Sequence, residues 1–291
     1  MSAVARLPLR MACGFYDRVE ALASGAVQAE GVSLTLHPPD AEDCEIREIA
    51  LATYLAEKAR GNAADIAIPV FPLRSFCHGL IFVNGSAGIA GAPDLAGKRI
   101  GVAVDRDTEA MWICGALQHE HGVARESLTL VDCEAKALAS RLAAGEIDAA
   151  FGLRLPTAAP IRPLFPDHAA RDRDVFEKTG IFPIMTVLVM PESLHARHPW
   201  LAESLFKACE EAKRWCIGQM RFSGALRTML PWLLDEIDEM DRLFGADPWP
   251  YAVEPNRRTL TMAAQLLREQ GRVSGEVDID RLFTPIVAWA E

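Results

Sequence analysis

Arg74 and His78 share one short link between two apolar runs, 66–71 and 80–83. Both runs are rich in β-branched and aromatic residues and too short for helices, so each is expected as a strand. Pro69 and Pro72 remove backbone donors, so the first run should end at a sheet edge or bend out of it. A guanidinium and an imidazole on a proline-braced turn fit a site for an anionic or aromatic small molecule. The plainer alternative is a loop carrying two solvated polar residues.

Other residues with usable chemistry sit where strands give way to helices. Tyr16 and Arg18 follow a first strand (7–12) and Gly14, at a helix start where free backbone N–H groups favour anions. Thr108 is placed to cap a helix over 109–121 or to meet a ligand oxygen. Trp112 on that helix reads equally as core or as an aromatic wall. Arg154 follows a strand at 147–151, and strand carboxyl ends in open α/β sheets line the crevice. Phe182 and Pro183 open the apolar run 181–190, whose second half reads as a strand, and could pack a flat ring. Glu48 falls on a helix expected over 45–59, where most glutamates are solvated.

These positions need a frame, and the alternation of elements supplies one. Strands at 32–36 and 128–131 and a helix at 135–144 complete a strand–helix series, which indicates an α/β sheet with parallel pairs. From 198 the character turns helical, with helices expected over 200–220, 225–244 and 256–270. Cys209 and Cys216 lie on the apolar stripe of the first of these and read as core. Trp249, Pro250 and Tyr251 form a rigid aromatic link between the last two.

The chain has 291 residues, 50% hydrophobic and 24% charged, which suits about two domains or one bilobed unit with a large core. A net charge of −10 argues against a nucleic-acid partner. No signal peptide is expected from residues 1–9, and no apolar run approaches the ~18 residues that span a membrane, so a cytoplasmic protein without a membrane partner is expected. The seven cysteines are scattered and lack a CxxC pair, which fits reduced thiols. No metal site is expected: Cys13, Cys77, Cys114 and His78 lack ligand spacing, and His119 and His121, beside Gly122, read as a helix C-terminal cap region. A homo-oligomer is compatible with the chain.

Several longer motifs now stand together: 12–18 (Ala-Cys-Gly-Phe-Tyr-Asp-Arg), 66–72 with Arg74 and His78, 117–120 with Gly122 and Val123, 145–149, 179–185, 198–200 and 254–257. In these the chain resembles the 4,5-dihydroxyphthalate decarboxylase family through nearly its whole length. The resemblance implies an α/β fold of the type 2 periplasmic-binding-protein kind, two lobes joined by two crossover strands, with ligand in the cleft. Lobe one would be residues 1–92 plus 187–291, and lobe two the inserted 93–186. It implies a cofactor-independent decarboxylase-like lyase acting on a hydroxylated aromatic or heteroaromatic acid. The alternatives are a solute-binding protein for an aromatic or heterocyclic ligand of an ABC-type uptake system, or another reaction on the same fold.

Under that resemblance His78 would protonate the ring, Arg74 and Arg18 would hold the anion, and Glu48 would be a second candidate acid. Arg154, Thr108, Trp112, Phe182 and Tyr16 would complete the ligand contacts. The chain departs from the family pattern at Cys77 and Cys114, where arginine is usual, and at Thr186, where histidine is common. If both arginines bound carboxylates, a diacid should bind more weakly here by roughly 3–6 kcal/mol.

Overall fold

The computed structural model describes residues 6–156, 158–221 and 228–286. The chain opens with β1 (Leu7–Ala12), α1 (Glu20–Ala23), β2 (Val32–His37), β3 (Ile46–Ala50), α2 (Leu51–Ala59) and β4 (Asp65–Ile68). It then runs through β5 (Ile81–Asn84), β6 (Arg99–Ala103), α3 (Asp107–His121), β7 (Thr129–Cys133), α4 (Leu138–Ala143), β8 (Ala149–Phe151), β9 (Ile161–Pro163) and α5 (His168–Thr179). It closes with β10 (Thr186–Pro191), α6 (Glu192–Arg197), α7 (Leu201–Arg221), α8 (Leu233–Phe244) and α9 (Arg257–Glu269).

The strands form two five-stranded sheets, ordered β2-β1-β3-β10-β4 and β7-β6-β8-β5-β9. Each has three parallel strands in a row, then one antiparallel strand, then an edge strand that runs with the first three. In the first, β1 runs parallel to β2 and β3, while β10 is antiparallel to β3 and β4. In the second, β6 is parallel to β7 and β8, and β5 is antiparallel to β8 and β9. The chain passes between the sheets once after β4 and returns in β10. Two mixed sheets with two chain passages between them make the bilobed α/β fold the sequence led us to expect.

Three expectations change. The strand β5 hydrogen-bonds into the second sheet, with Val83 opposite Ala149, so that sheet begins at position 81 rather than at 93. The helix expected over 45–59 is a strand followed by a helix. Residues 46–50 lie between β1 and β10, with Met11 opposite Ile46 and Leu188 opposite Glu48, and pairing on both sides overrides the helical preference of Glu and Arg. Glu48 therefore stands on a strand. The helix expected over 225–244 begins only at Leu233; residues 228–232 are non-helical, and 222–227 lie outside the described residues. Two elements carried no clear periodicity: β9 has three residues, and α5 is charged along most of its length with Asp172 its one buried residue.

The C-terminal helices brace the first sheet. Cys209 and Cys216 are buried on α7, as their spacing predicts. Lys213, on the same helix, is 1% exposed and donates to Glu210 (3.0 Å), Asp247 (2.6 Å) and the Trp249 carbonyl (3.1 Å). Its ammonium also lies 4.4 Å from the Tyr251 ring centroid. A buried cation thus fixes the aromatic link, and with it the position of Trp249. All seven cysteines are buried and unpaired.

Candidate active site

The carboxyl end of β1 turns sharply at Gly14, and Tyr16 folds back over it. A Cβ at position 14 would sit 2.3 Å from the Tyr16 ring, so only glycine lets the ring lie there. Tyr16 donates its hydroxyl proton to Glu48 Oε1 at 3.0 Å, and the Gly14 N–H donates to Glu48 Oε2 at 2.8 Å. Thr186, the first residue of β10, donates to the same Oε1 at 2.5 Å and accepts the Leu73 N–H at 3.0 Å. Glu48 is therefore held by three donors from two other chain segments, the 14–16 turn and the head of β10. Burial, and then the neighbouring Glu48 charge, push the Tyr16 pKa well above its ordinary value. The phenol stays protonated and can act as a donor.

Arg18 closes this end of the site. Its guanidinium carbon lies 4.1 Å from the Tyr16 ring centroid and 4.3 Å from that of Trp249, sandwiched between two aromatic faces. Nε donates to the Pro72 carbonyl at 2.5 Å and Nη1 to Asp17 at 3.1 Å. Nη2 has no protein partner among the described residues. From the second sheet, Arg106 at the start of α3 lies near enough to Tyr16 for their charges to interact. It pairs with Glu109 at 2.9 Å, while its Nε is enclosed without a hydrogen-bond partner. Burial raises the Glu109 pKa. Arg106 packs against Gly152, which has a φ of +90°, two residues before the exposed Arg154.

The remaining expected residues fall elsewhere. Thr108 lies inside the first turn of α3 rather than at its cap, which is Arg106; its Oγ1 accepts the Ala52 N–H at 3.2 Å and is buried. Trp112 is core, its Nε1 donating to the Ile184 carbonyl at 3.0 Å. Phe182 stacks on Phe76 at 4.5 Å and meets Trp249 edge-on at 5.2 Å.

Arg74 is 5% exposed and bound to the protein itself. It donates to the Phe182 carbonyl (3.1 Å), the Pro250 carbonyl (2.7 Å) and Asn256 Oδ1. Burial lowers its pKa to about 10, still far above neutrality. It ties both chain passages between the sheets to the C-terminal link, and this geometry leaves it little capacity for a substrate.

His78 is also 5% exposed, between two carboxylates: Nδ1 lies 2.6 Å from Asp172 and Nε2 3.0 Å from Glu120. Burial disfavours the charged ring, but the Asp172 and Glu120 hydrogen bonds prevail and raise its pKa to about 9. Glu120 is at the far end of α3 from Glu109, roughly 16 Å along the helix axis at 1.5 Å per residue. The structure thus puts His78 at one end of α3 and Arg106, with Tyr16 beyond it, at the other. Cys77 and Cys114 are buried as well. The charges of Asp172, Glu109 and Glu120 act on position 77, so an arginine there would have protein carboxylates to pair with.

Sequence reasoning missed Arg106, Asp172 and Glu120. Arg106 was legible as the last residue before a helix that follows a strand. Asp172 and Glu120 had no local signal, because only folding brings them to His78.

A 4,5-dihydroxyphthalate decarboxylase of Comamonas testosteroni is 30% identical to this chain, in an alignment spanning 97% of this chain and 98% of that protein. The chain belongs to the 4,5-dihydroxyphthalate decarboxylase family. Residues 73–219 also match the family model described as NMT1/THI5 like. Among solved structures, the desulfurization enzyme DSZB superposes with a TM-score of 0.58 at 17% identity, covering 96% of this chain and 97% of that one. The periplasmic aliphatic sulphonate binding protein SsuA of Escherichia coli gives 0.58 at 12%, with the same coverage. At these identities the two structures establish the fold alone, a two-lobed α/β fold of the periplasmic-binding-protein kind.

If Tyr16 in this family member is the proton donor, crowding it should matter as much as removing it. Gly14→Ala is expected to lower turnover on the order of 10²-fold, the usual cost of a 1 Å misplacement. Steady-state kinetics beside a thermal melt checks this; unchanged turnover in a folded variant would discard Tyr16 as donor.

Proposed function

We propose that this protein is a decarboxylase-like lyase acting on a hydroxylated aromatic acid, and that it turns over 4,5-dihydroxyphthalate or a close analogue. The reading rests on one observation above the rest: a protonated phenol, Tyr16, hydrogen-bonded to Glu48 and lying against the Arg18 guanidinium. The named relative supports it, and the buried positions of Cys77 and Cys114 remove the argument against a diacid. Seven unpaired thiols accord with the cytoplasmic setting we propose. No helix among the described residues is long and apolar enough to cross a membrane.

Arg18, through Nη2, and Arg106 hold the carboxylate from opposite sheets, with Arg154 at the rim. Trp249 and Phe182 offer aromatic surface for the ring. Tyr16 gives its proton to the ring carbon that bears the carboxylate. The bond to the carboxylate then breaks, its electron pair restores the aromatic ring, and carbon dioxide leaves with one proton consumed. A ring hydroxyl ortho or para to that carbon supplies the electron density that makes protonation feasible. Glu48 orients the phenol and passes it a replacement proton from solvent.

The test is carbon dioxide release from 4,5-dihydroxyphthalate and from hydroxybenzoates by purified protein. Release from at least one acid is expected. Tight binding of every acid without release would replace this reading with a solute-binding one.

A further inference from the structure

The C-terminal end of α3 brings together three groups that the proposed chemistry leaves unused. One ligand-type atom each from His78, Glu120 and His121 lies within 4.8 Å of the others. We propose that these three side chains bind a single divalent transition-metal ion of the zinc type, at a site separate from the reaction centre.

The donor set is two imidazoles and one carboxylate, a combination that holds zinc with a water in the fourth position. Imidazole ligands favour zinc, copper and nickel over magnesium or calcium. Bonds of about 2.1 Å to a tetrahedral ion place neighbouring ligand atoms about 3.4 Å apart. His78 Nε2 and Glu120 Oε2 are already 3.0 Å apart.

The surroundings match a metal site beyond its ligands. Asp172 accepts from His78 Nδ1 at 2.6 Å, which fixes the ring and turns Nε2 toward Glu120. A carboxylate behind a ligating histidine is the usual orienting partner. His121 Nε2 is enclosed and has no hydrogen-bond partner among the described residues. Both imidazoles are seated on one ring, Phe165: His121 stacked at 5.3 Å and His78 edge-on at 5.4 Å. Two carboxylates at the cluster suit a dication, although the Arg171 guanidinium over Phe165, at 4.9 Å, opposes it. Glu120 keeps 31% of its side chain exposed, which leaves an approach from solvent. Bound metal would join the end of α3 to the passage before β5 and, through Asp172, to α5.

Zinc titration of the chelator-stripped full chain, followed by calorimetry and by the thermal midpoint, tests the site. One equivalent is expected to bind at micromolar affinity or tighter and to raise the midpoint. His121→Ala and Glu120→Gln should each weaken binding by at least 100-fold, and Asp172→Asn by about 10–100-fold, the usual loss on removing an orienting partner. Cobalt should give weak visible bands without a thiolate charge-transfer band. Absence of saturable binding, unchanged binding in both folded ligand variants, or a thiolate band pointing to the cysteines would each overturn the proposal. These readouts need no turnover, so the site stands or falls independently of the decarboxylase reading.

Discussion

Tyr16→Phe is expected to cut turnover of the acid substrate by about 10²–10⁴ while leaving KM nearly unchanged, as loss of a general acid does. The variant removes one oxygen that donates to Glu48 Oε1, so its stability should fall by about 1 kcal/mol. Arg18 keeps its stacking on the phenyl ring, and substrate binding should survive. Glu48→Gln should produce a loss of similar size, because it disrupts the same proton path. The double variant should be little worse than either single one, since residues acting as a unit are not additive. A Tyr16→Phe enzyme with raised KM and normal kcat would make the phenol a binding group and leave the proton donor unassigned.

Arg74→Ala should destabilise the fold by about 3–5 kcal/mol, because the Phe182 carbonyl and Asn256 Oδ1 lose their donor together and the Pro250 carbonyl keeps only the Asn256 amide. Urea titration measures this through the midpoint. Arg74→Lys keeps the charge but not the planar fork, and should recover only part of the loss. The same experiment separates the two roles the residue could have. A clamp lowers stability whether or not substrate is present. A substrate anchor would lower affinity while the urea midpoint stayed unchanged, and that result would return Arg74 to the binding site.

The features that were legible in the sequence were those with local causes. Alternating strands and helices followed by a helical tail gave the fold class, and the α7 stripe placed Cys209 and Cys216 in the core. Tyr16 and Arg18 were found because a strand, a glycine and a helix start follow one another in the chain. The errors came from long-range pairing. Residues 46–50 become a strand only because β1 and β10 lie on either side. Arg74 and His78 shared a turn and so suggested a shared site, yet their side chains leave that turn for different partners. One reaches the C-terminal link, the other α3 and α5. Asp172 could not be anticipated, since it is separated from His78 by much of the second sheet.

The three bonds to Glu48 have a consequence for anyone wishing to transplant or reprogram this chemistry. Two donors come from the tight bend at the exit of the first strand and one from the head of the last strand; the acceptor sits on a third stretch between them. No contiguous peptide carries the proposed proton path, so grafting any one loop into a related scaffold would move a fragment without its counterpart. Position 186 is the practical handle. It is a small hydroxyl residue at the returning strand, and exchanging it alters the surroundings of Glu48 without touching Arg18 or Arg106, the two arginines we propose for the anion.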